Sequence, residues 1–115
     1  GLKTSVLYYV RDNPSAKPED VAASFQNAAT DVLVAKTVRA VKEFSAESII
    51  MAGGVAANKY LRKKMGAEAK KMKLAFFVPK FKFNTDNAAM IGVAGYVNFI
   101  RKKKYKMEAN GNLEI

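Results

Sequence analysis

Two short apolar runs enclose a helical segment, and this order restricts the fold more than any other feature of the sequence. The first run, residues 48–52, ends at a pair of glycines, and the second, residues 74–78, ends at Pro79. Short apolar runs with β-branched or aromatic members, bounded by turn residues, indicate buried parallel strands. Strands joined through a helix form a right-handed parallel crossover. The sequence therefore predicts an α/β fold with a strand-helix-strand parallel unit and flanking helices.

The helical spacing of apolar residues predicts four helices around these strands. They cover residues 2–12, 18–44, 58–72 and 85–101. Pro18 suits the first turn of the second helix, and Thr85 is expected to cap the last one. We expect residues 1–101 to form one folded segment and residues 102–115 to form a basic tail.

The composition excludes several kinds of site. The chain has 115 residues and contains neither Cys nor His. Disulfides, thiolate zinc sites and Cys nucleophiles are therefore excluded, and the commonest general base is absent. No apolar run approaches the length of about 18 residues that a membrane-spanning helix needs, and the N-terminal residues do not read as a secretory signal. We expect a cytoplasmic protein that has no membrane partner.

The positive charge is confined to the second half of the sequence. The net charge is +10, and the fourteen Lys and Arg residues after residue 50 face only four Asp and Glu residues. Residues 1–50 carry equal numbers of both signs. A one-sided basic surface favours a polyanionic partner such as RNA, whereas the alternative is an ordinary solvated surface rich in lysine.

The first candidate site is the glycine turn that follows the first predicted strand. Gly53 and Gly54 would let a ligand approach the backbone closely, and Asn58 stands at the start of the next helix. A helix start offers N–H groups and the positive end of the helix dipole to an anionic ligand. The segment matches neither the dinucleotide fingerprint nor the Walker A loop. The alternative is that the glycines only form the turn and Asn58 only caps the helix.

The second candidate site is Asp86, which follows the second predicted strand in the segment Asn-Thr-Asp-Asn. An ionised carboxylate is a suitable ligand for a hard metal ion. The alternative is helix capping by Thr85, with Asp86 in the first helical turn. Both candidate sites follow the carboxyl ends of predicted parallel strands, which is where open α/β sheets bind ligands.

Several stretches of the chain resemble one family in their order and spacing. They are Gly1-Leu2-Lys3-Thr4, Val21-Ala22-Ala23-Ser24-Phe25-Gln26, the GGVAAN motif at 53–58 with Lys59-Tyr60-Leu61-Arg62, Pro79, Thr85-Asp86-Asn87-Ala88-Ala89-Met90-Ile91-Gly92, and Ala94-Gly95-Tyr96. Together they resemble the tRNA N6-adenosine threonylcarbamoyltransferases, a family once called O-sialoglycoprotein endopeptidases or glycoproteases. The resemblance covers residues 1–101.

The resemblance implies a fold and an activity. It implies the two-lobed actin-like ATPase (ASKHA) fold, of which residues 1–101 would be a segment of the C-terminal lobe. It implies transfer of a threonylcarbamoyl group from an adenylate to N6 of the adenosine next to the tRNA anticodon. The implied partners are tRNA, accessory proteins of the threonylcarbamoylation complex and the N-terminal lobe that this sequence lacks.

The resemblance also implies roles for the two candidate sites. Gly53, Gly54 and Asn58 match residues that contact the ligand, which is an adenine nucleotide or the threonylcarbamoyl-adenylate. Asp86 matches a ligand of one divalent metal, iron or zinc, that two His of a His-x-x-x-His segment also hold. This sequence contains no His, so we expect the chain by itself to be inactive.

Two other functions remain open on the residues alone. The first is a basic RNA-binding or partner-docking module without catalysis, which the excess charge after residue 50 favours. The second is a sugar kinase or another ATPase of the same superfamily, against which the stretch at residues 85–91 argues. The sequence offers no Ser-His, Cys-His or zinc-peptidase group that would support a peptidase.

Overall fold

The computed structural model describes residues 1–103, which fall into two compact units divided after Asn84. The first unit contains α1 (Leu2–Asp12), α2 (Pro18–Phe44), β1 (Ser48–Ile50), α3 (Lys59–Lys71) and β2 (Ala75–Phe77). It also contains two short 3₁₀ helices, Gly54–Ala57 and Phe81–Phe83. The described part of the second unit contains α4 (Ala88–Ile100). The mixed α/β class and the order of elements predicted from the sequence are confirmed.

The two strands pair in parallel, as the crossover connection through α3 requires. Ile49 stands opposite Phe76, and Ile50 stands opposite Phe77. Both strands are shorter than the predicted runs 48–52 and 74–78. The Met51 N–H still donates to the Phe77 carbonyl at 2.9 Å, and the chain then turns at Gly53, where φ is +86°. The turn at the glycine pair therefore ends the ladder before the apolar run is finished.

The core lies between one face of the sheet and the helices α2 and α3. It consists of Val34 and Val41 from α2, Ile49 from β1, and Leu61, Met65 and Ala69 from α3, and Phe76 packs against it half-buried. The positions in α3 recur every four residues, which places them on one face of the helix. This stripe docks α3 on the sheet and so positions the end of the glycine turn that leads into α3.

The opposite face of the sheet is exposed, which corrects the expectation of buried strands. Ile50 is 74% exposed and its neighbour Phe77 is 57% exposed. Successive residues of a strand point to opposite faces, and α2 and α3 pack against the face that carries Ile49 and Phe76. Because successive strand positions are apolar, the sequence predicted burial of both faces of the sheet. The described residues cover only one of these faces.

The bounds of α1 and α2 agree with the predicted ranges 2–12 and 18–44 for identifiable reasons. Asn13 ends α1, where its side-chain amide and its backbone N–H both donate to the Tyr9 carbonyl. Pro18 occupies the first turn of α2, where its missing N–H costs no helical hydrogen bond. Ser45 ends α2 in a left-handed conformation with φ at +50°.

The second unit corrects the predicted cap of the last helix. The cap is Asn87, whose Oδ1 accepts a hydrogen bond from the Met90 N–H at 2.9 Å. Thr85 lies two residues earlier, and its carbonyl accepts a hydrogen bond from the Asn87 amide at 2.9 Å. Asp86 therefore precedes the helix and does not lie in its first turn. Both residue types are suitable caps, with Asn somewhat better than Thr.

The predicted basic tail, residues 102–115, lies outside the described residues from residue 104 onward. Within residues 1–103, no helix is both long enough and apolar enough to cross a membrane.

Candidate nucleotide site at the glycine turn

The glycine turn presents open backbone between β1 and α3. Gly53 has φ at +86°, a conformation that side chains of L residues rarely adopt, so the turn itself requires glycine there. Gly54 has no such requirement. A Cβ placed on either glycine would meet no heavy atom within 4 Å. Turn formation therefore accounts for Gly53 but not for Gly54, where the absence of a side chain only leaves the surface open.

Asn58 caps α3, which confirms the structural role that the sequence left as an alternative. Its Oδ1 accepts hydrogen bonds from the Tyr60 N–H at 2.9 Å and from the Leu61 N–H at 3.0 Å. Its Nδ2 donates to Oε1 of Gln26, on α2, at 3.3 Å. A nucleotide contact by Asn58 stays a prediction, and the cap determines which atoms of the carboxamide remain available for it.

Two further polar contacts join the first turns of α3 to α2. The Tyr60 hydroxyl donates to Oδ1 of Asn27 at 2.5 Å, and one helical turn later the Lys64 ammonium pairs with the Asp31 carboxylate. The hydrogen bond to Asp31 is the main cause that raises the pKa of Lys64 above its ordinary value. These two polar contacts and the apolar core beneath them support the same register between α2 and α3.

Arg62 ties the glycine turn to the segment that follows β2. Its Nε donates to the Ala56 carbonyl in the 3₁₀ helix of the turn, and its guanidinium lies 4.2 Å from the centroid of the Phe81 ring. Arg62 is half-buried, and its Nη2 has no hydrogen-bond partner among the described residues. A planar guanidinium can bond and stack at the same time, which the ammonium of a lysine cannot do.

Sequence reasoning assigned no function to Gln26 or Arg62. Both nevertheless lie in stretches that carry the family resemblance, and that was the available signal. The structure brings both residues to the glycine turn, because Gln26 contacts Asn58 and Arg62 contacts Ala56. Neither contact is visible from the spacing of residues along the chain.

Asp86 is exposed and belongs to the second unit. Among residues 1–103, the structure shows no group of three or more Asp, Glu, His or Cys side chains that could hold a metal ion. The described residues therefore do not provide a complete metal site, and metal ligation by Asp86 stays a prediction. Its proximity to the glycine turn stays a prediction.

The model of the tRNA N6-adenosine threonylcarbamoyltransferase family matches residues 1–93, which include the glycine turn and Asp86. The chain belongs to this family. The tRNA N6-adenosine threonylcarbamoyltransferase of Thermosipho melanesiensis is 46% identical over 115 residues, which are 100% of this chain and 35% of that protein. The family resemblance stated from the sequence is confirmed.

Two other relatives bear the same name. The protein of Limosilactobacillus fermentum is 53% identical over an alignment of 107 positions, which covers 87% of this chain and 31% of that protein. The protein of Kosmotoga olearia is 49% identical over 96 residues, which are 84% of this chain and 29% of that protein. The chain thus spans about a third of the length of the curated relatives that it matches.

Proposed function

We propose that this chain is a segment of the C-terminal lobe of an actin-like ATPase fold, in an enzyme that transfers a threonylcarbamoyl group from an adenylate to N6 of the adenosine next to the tRNA anticodon. Membership in the transferase family supports the proposal, as do the names of the relatives. Residues 1–101 would form the lobe segment and residues 102–115 a basic tail. The chain alone would be inactive, and it would act together with an N-terminal lobe and accessory proteins.

The glycine turn carries the proposal that the chain contributes to an adenylate site. Gly53 and Gly54 leave their backbone uncovered at the end of β1, and the Gly53 N–H donates to no described residue. The positive end of α3 follows directly behind the turn, which favours an anionic ligand. We assign Gly53, Gly54 and Asn58 to the binding of an adenine nucleotide or the threonylcarbamoyl-adenylate.

Asp86 is the proposed contribution of this chain to a metal site. A carboxylate ahead of a helix can coordinate a divalent cation such as iron or zinc. Because residues 1–103 offer no complete set of ligands, the remaining ligands would come from outside the described residues.

A basic RNA-binding module without catalysis is the second candidate function. It is favoured by the exposed lysines of α3, which are Lys59, Lys63, Lys70 and Lys71. The two functions make different demands on the glycine turn. A transferase needs the glycine turn to bind nucleotide, whereas a binding module needs only the cations.

Transfer assays separate the two functions. With threonylcarbamoyl-adenylate and the accessory proteins present, threonylcarbamoyl transfer to unmodified tRNA is measured for the full-length protein that carries this chain and for the 115-residue chain. We expect transfer by the full-length protein and none by the chain. Transfer by the 115-residue chain would show that the chain holds a complete active site, and the proposal that it is inactive by itself would be wrong. Tight tRNA binding by a full-length protein that performs no transfer would favour the binding module.

A further inference from the structure

We infer that Gln26 is a positioning residue, which orients the carboxamide of Asn58 so that its remaining Nδ2 hydrogen donates to an acceptor atom of the bound nucleotide. The inference rests on the proposed nucleotide contact of Asn58. It adds a residue from α2 to the site and states which kind of atom Asn58 recognises.

The orientation of the Asn58 carboxamide follows from its partners. Its Oδ1 faces the start of α3, because the Tyr60 and Leu61 N–H groups donate to it at 2.9 and 3.0 Å. If the amide nitrogen lay there instead, its N–H groups would face the N–H groups of Tyr60 and Leu61, and no hydrogen bond could form. The Nδ2 therefore points away from the helix, where Oε1 of Gln26 accepts from it at 3.3 Å.

The same bonds determine what Asn58 can offer to a ligand. A carboxamide oxygen has two lone pairs, and the cap of α3 uses both. An amide nitrogen has two hydrogens, and Gln26 receives one of them. The other has no acceptor among the described residues. Asn58 can therefore only donate to the nucleotide, and its counterpart is an acceptor such as a ribose oxygen, a ring nitrogen or a phosphate oxygen.

Gln26 acts on Asn58 locally, because neighbouring contacts hold the two helices together without it. The Tyr60 hydroxyl bonds to Asn27, the residue next to Gln26, and Lys64 pairs with Asp31. The buried residues of α2 and α3 pack beneath these contacts. Loss of Gln26 would leave the packing in place and release only the Nδ2 end of the Asn58 side chain.

Four variants of the full-length protein test this inference, with AMP binding measured by titration calorimetry. Gln26→Leu removes the acceptor at similar size, and Gln26→Glu keeps an acceptor in the same place. Tyr60→Phe is the matched control, because it removes one hydrogen bond between the same helices and keeps the backbone N–H that donates to Asn58. Asn58→Ser keeps a cap and removes the Nδ2 donor.

We expect Gln26→Leu to weaken AMP binding about 3- to 10-fold, which is the usual effect of one hydrogen bond. Gln26→Glu should bind AMP more tightly than Gln26→Leu, and Tyr60→Phe should bind it like the wild type. Equal losses of AMP affinity in Gln26→Leu and Tyr60→Phe would mean that AMP binding depends on the docking of α3 against α2 in general. This result would overturn the role of Gln26.

The remaining outcomes distinguish failure of the inference from failure of the proposed function. If Asn58→Ser weakens AMP binding and Gln26→Leu does not, the nucleotide contact stands and Gln26 has no part in it. If Asn58→Ser binds AMP like the wild type, Asn58 only caps α3. In that case both the proposed nucleotide contact of Asn58 and the role of Gln26 are refuted.

Discussion

The Lys64 ammonium on α3 forms an ion pair with the Asp31 carboxylate on α2. Lys64 is half-buried, whereas Asp31 is exposed, and the contact lies one helical turn beyond the bond between Tyr60 and Asn27. The hydrogen bond to the carboxylate raises the pKa of Lys64 above its ordinary value of 10.5, against the smaller opposing effect of burial. The pair therefore supports the docking of α3 only while Lys64 is protonated, and this support is lost in the alkaline range.

The first prediction concerns the pH dependence of this pair. The pKa of Lys64 is higher in the folded protein than in the unfolded chain, so its contribution to stability is complete below pH 10.5 and is lost as the pH rises through the folded-state pKa. Lys64→Met should lower the urea midpoint of the full-length protein slightly near neutral pH and should have a diminishing effect above pH 10.5. A difference between wild type and variant that persists in strongly alkaline solution would contradict the prediction.

The second prediction separates the two glycines of the turn. Gly53→Ala places a side chain at φ +86° and ψ 177°, a region that is essentially restricted to glycine, and should cost about 1–3 kcal/mol of folding free energy. Gly54→Ala meets no atom and should leave the stability unchanged or slightly higher. We expect Gly54→Ala nevertheless to weaken AMP binding, because its methyl group narrows the approach to the backbone. Calorimetry with AMP and thermal unfolding measure the two effects, and unchanged AMP binding in Gly54→Ala would mean that the nucleotide does not approach the backbone at this glycine.

The third prediction separates capping from ligand binding at Asn58. Asn58→Ala should destabilise the start of α3 by about 1 kcal/mol, because it removes the acceptor of two N–H groups. Asn58→Ser should restore most of that stability without restoring AMP affinity. Amide hydrogen exchange of residues 59–61 reports the cap, and a serine variant that binds AMP normally would reduce Asn58 to its structural role.

The fold could be predicted from the sequence where the signal is local. Pro18 marks the start of α2, and the glycine pair marks the end of β1, because each restricts the backbone at its own position. The cap of α4 could not be predicted, because Thr85 and Asn87 are both suitable capping residues. Only the observed bond from the Met90 N–H decides between them.

The candidate site could be predicted only in part, for a different reason. Gly53, Gly54 and Asn58 are close in sequence, so one motif identifies all three as candidates. The contact of Asn58 with Gln26 joins residues 32 positions apart and depends on how α3 docks against α2. Spacing along the chain contains no information about that docking. Similarly, the apolar character of Ile50 and Phe77 does not show that their face of the sheet is exposed in this unit.

The fourth prediction concerns Asp86. In the full-length protein, Asp86→Ala should abolish retention of the metal and threonylcarbamoyl transfer while leaving the fold intact, since the side chain is exposed and precedes α4. Asp12→Ala, at an exposed carboxylate of α1, is the control for loss of one negative charge. Elemental analysis of the purified proteins gives the metal content, and a normal value for Asp86→Ala would refute its role as a ligand.

The last prediction concerns RNA binding by the basic half of the chain. The 115-residue chain should bind tRNA weakly at low salt, because fourteen cations face four anions after residue 50. Counterion release requires such binding to weaken steeply between about 50 and 200 mM salt. Since no base-reading motif is visible, we expect little preference for tRNA over other RNA. Fluorescence anisotropy titrations across salt concentrations measure both properties.

The location of the charge is tested by two variants that each lose three cations. One replaces Lys63, Lys70 and Lys71 on α3 by Gln, and the other replaces Lys36, Arg39 and Lys42 on α2, where all six residues are exposed. The α3 variant should bind tRNA more weakly and show a shallower salt dependence, because each lost phosphate contact reduces the slope by about 0.7–0.9. The α2 variant should bind like the wild type, since its cations lie in the half of the chain without excess charge. Equal losses in both would show that only the total charge matters, and no binding by the wild type at low salt would mean that the lysines form an ordinary solvated surface.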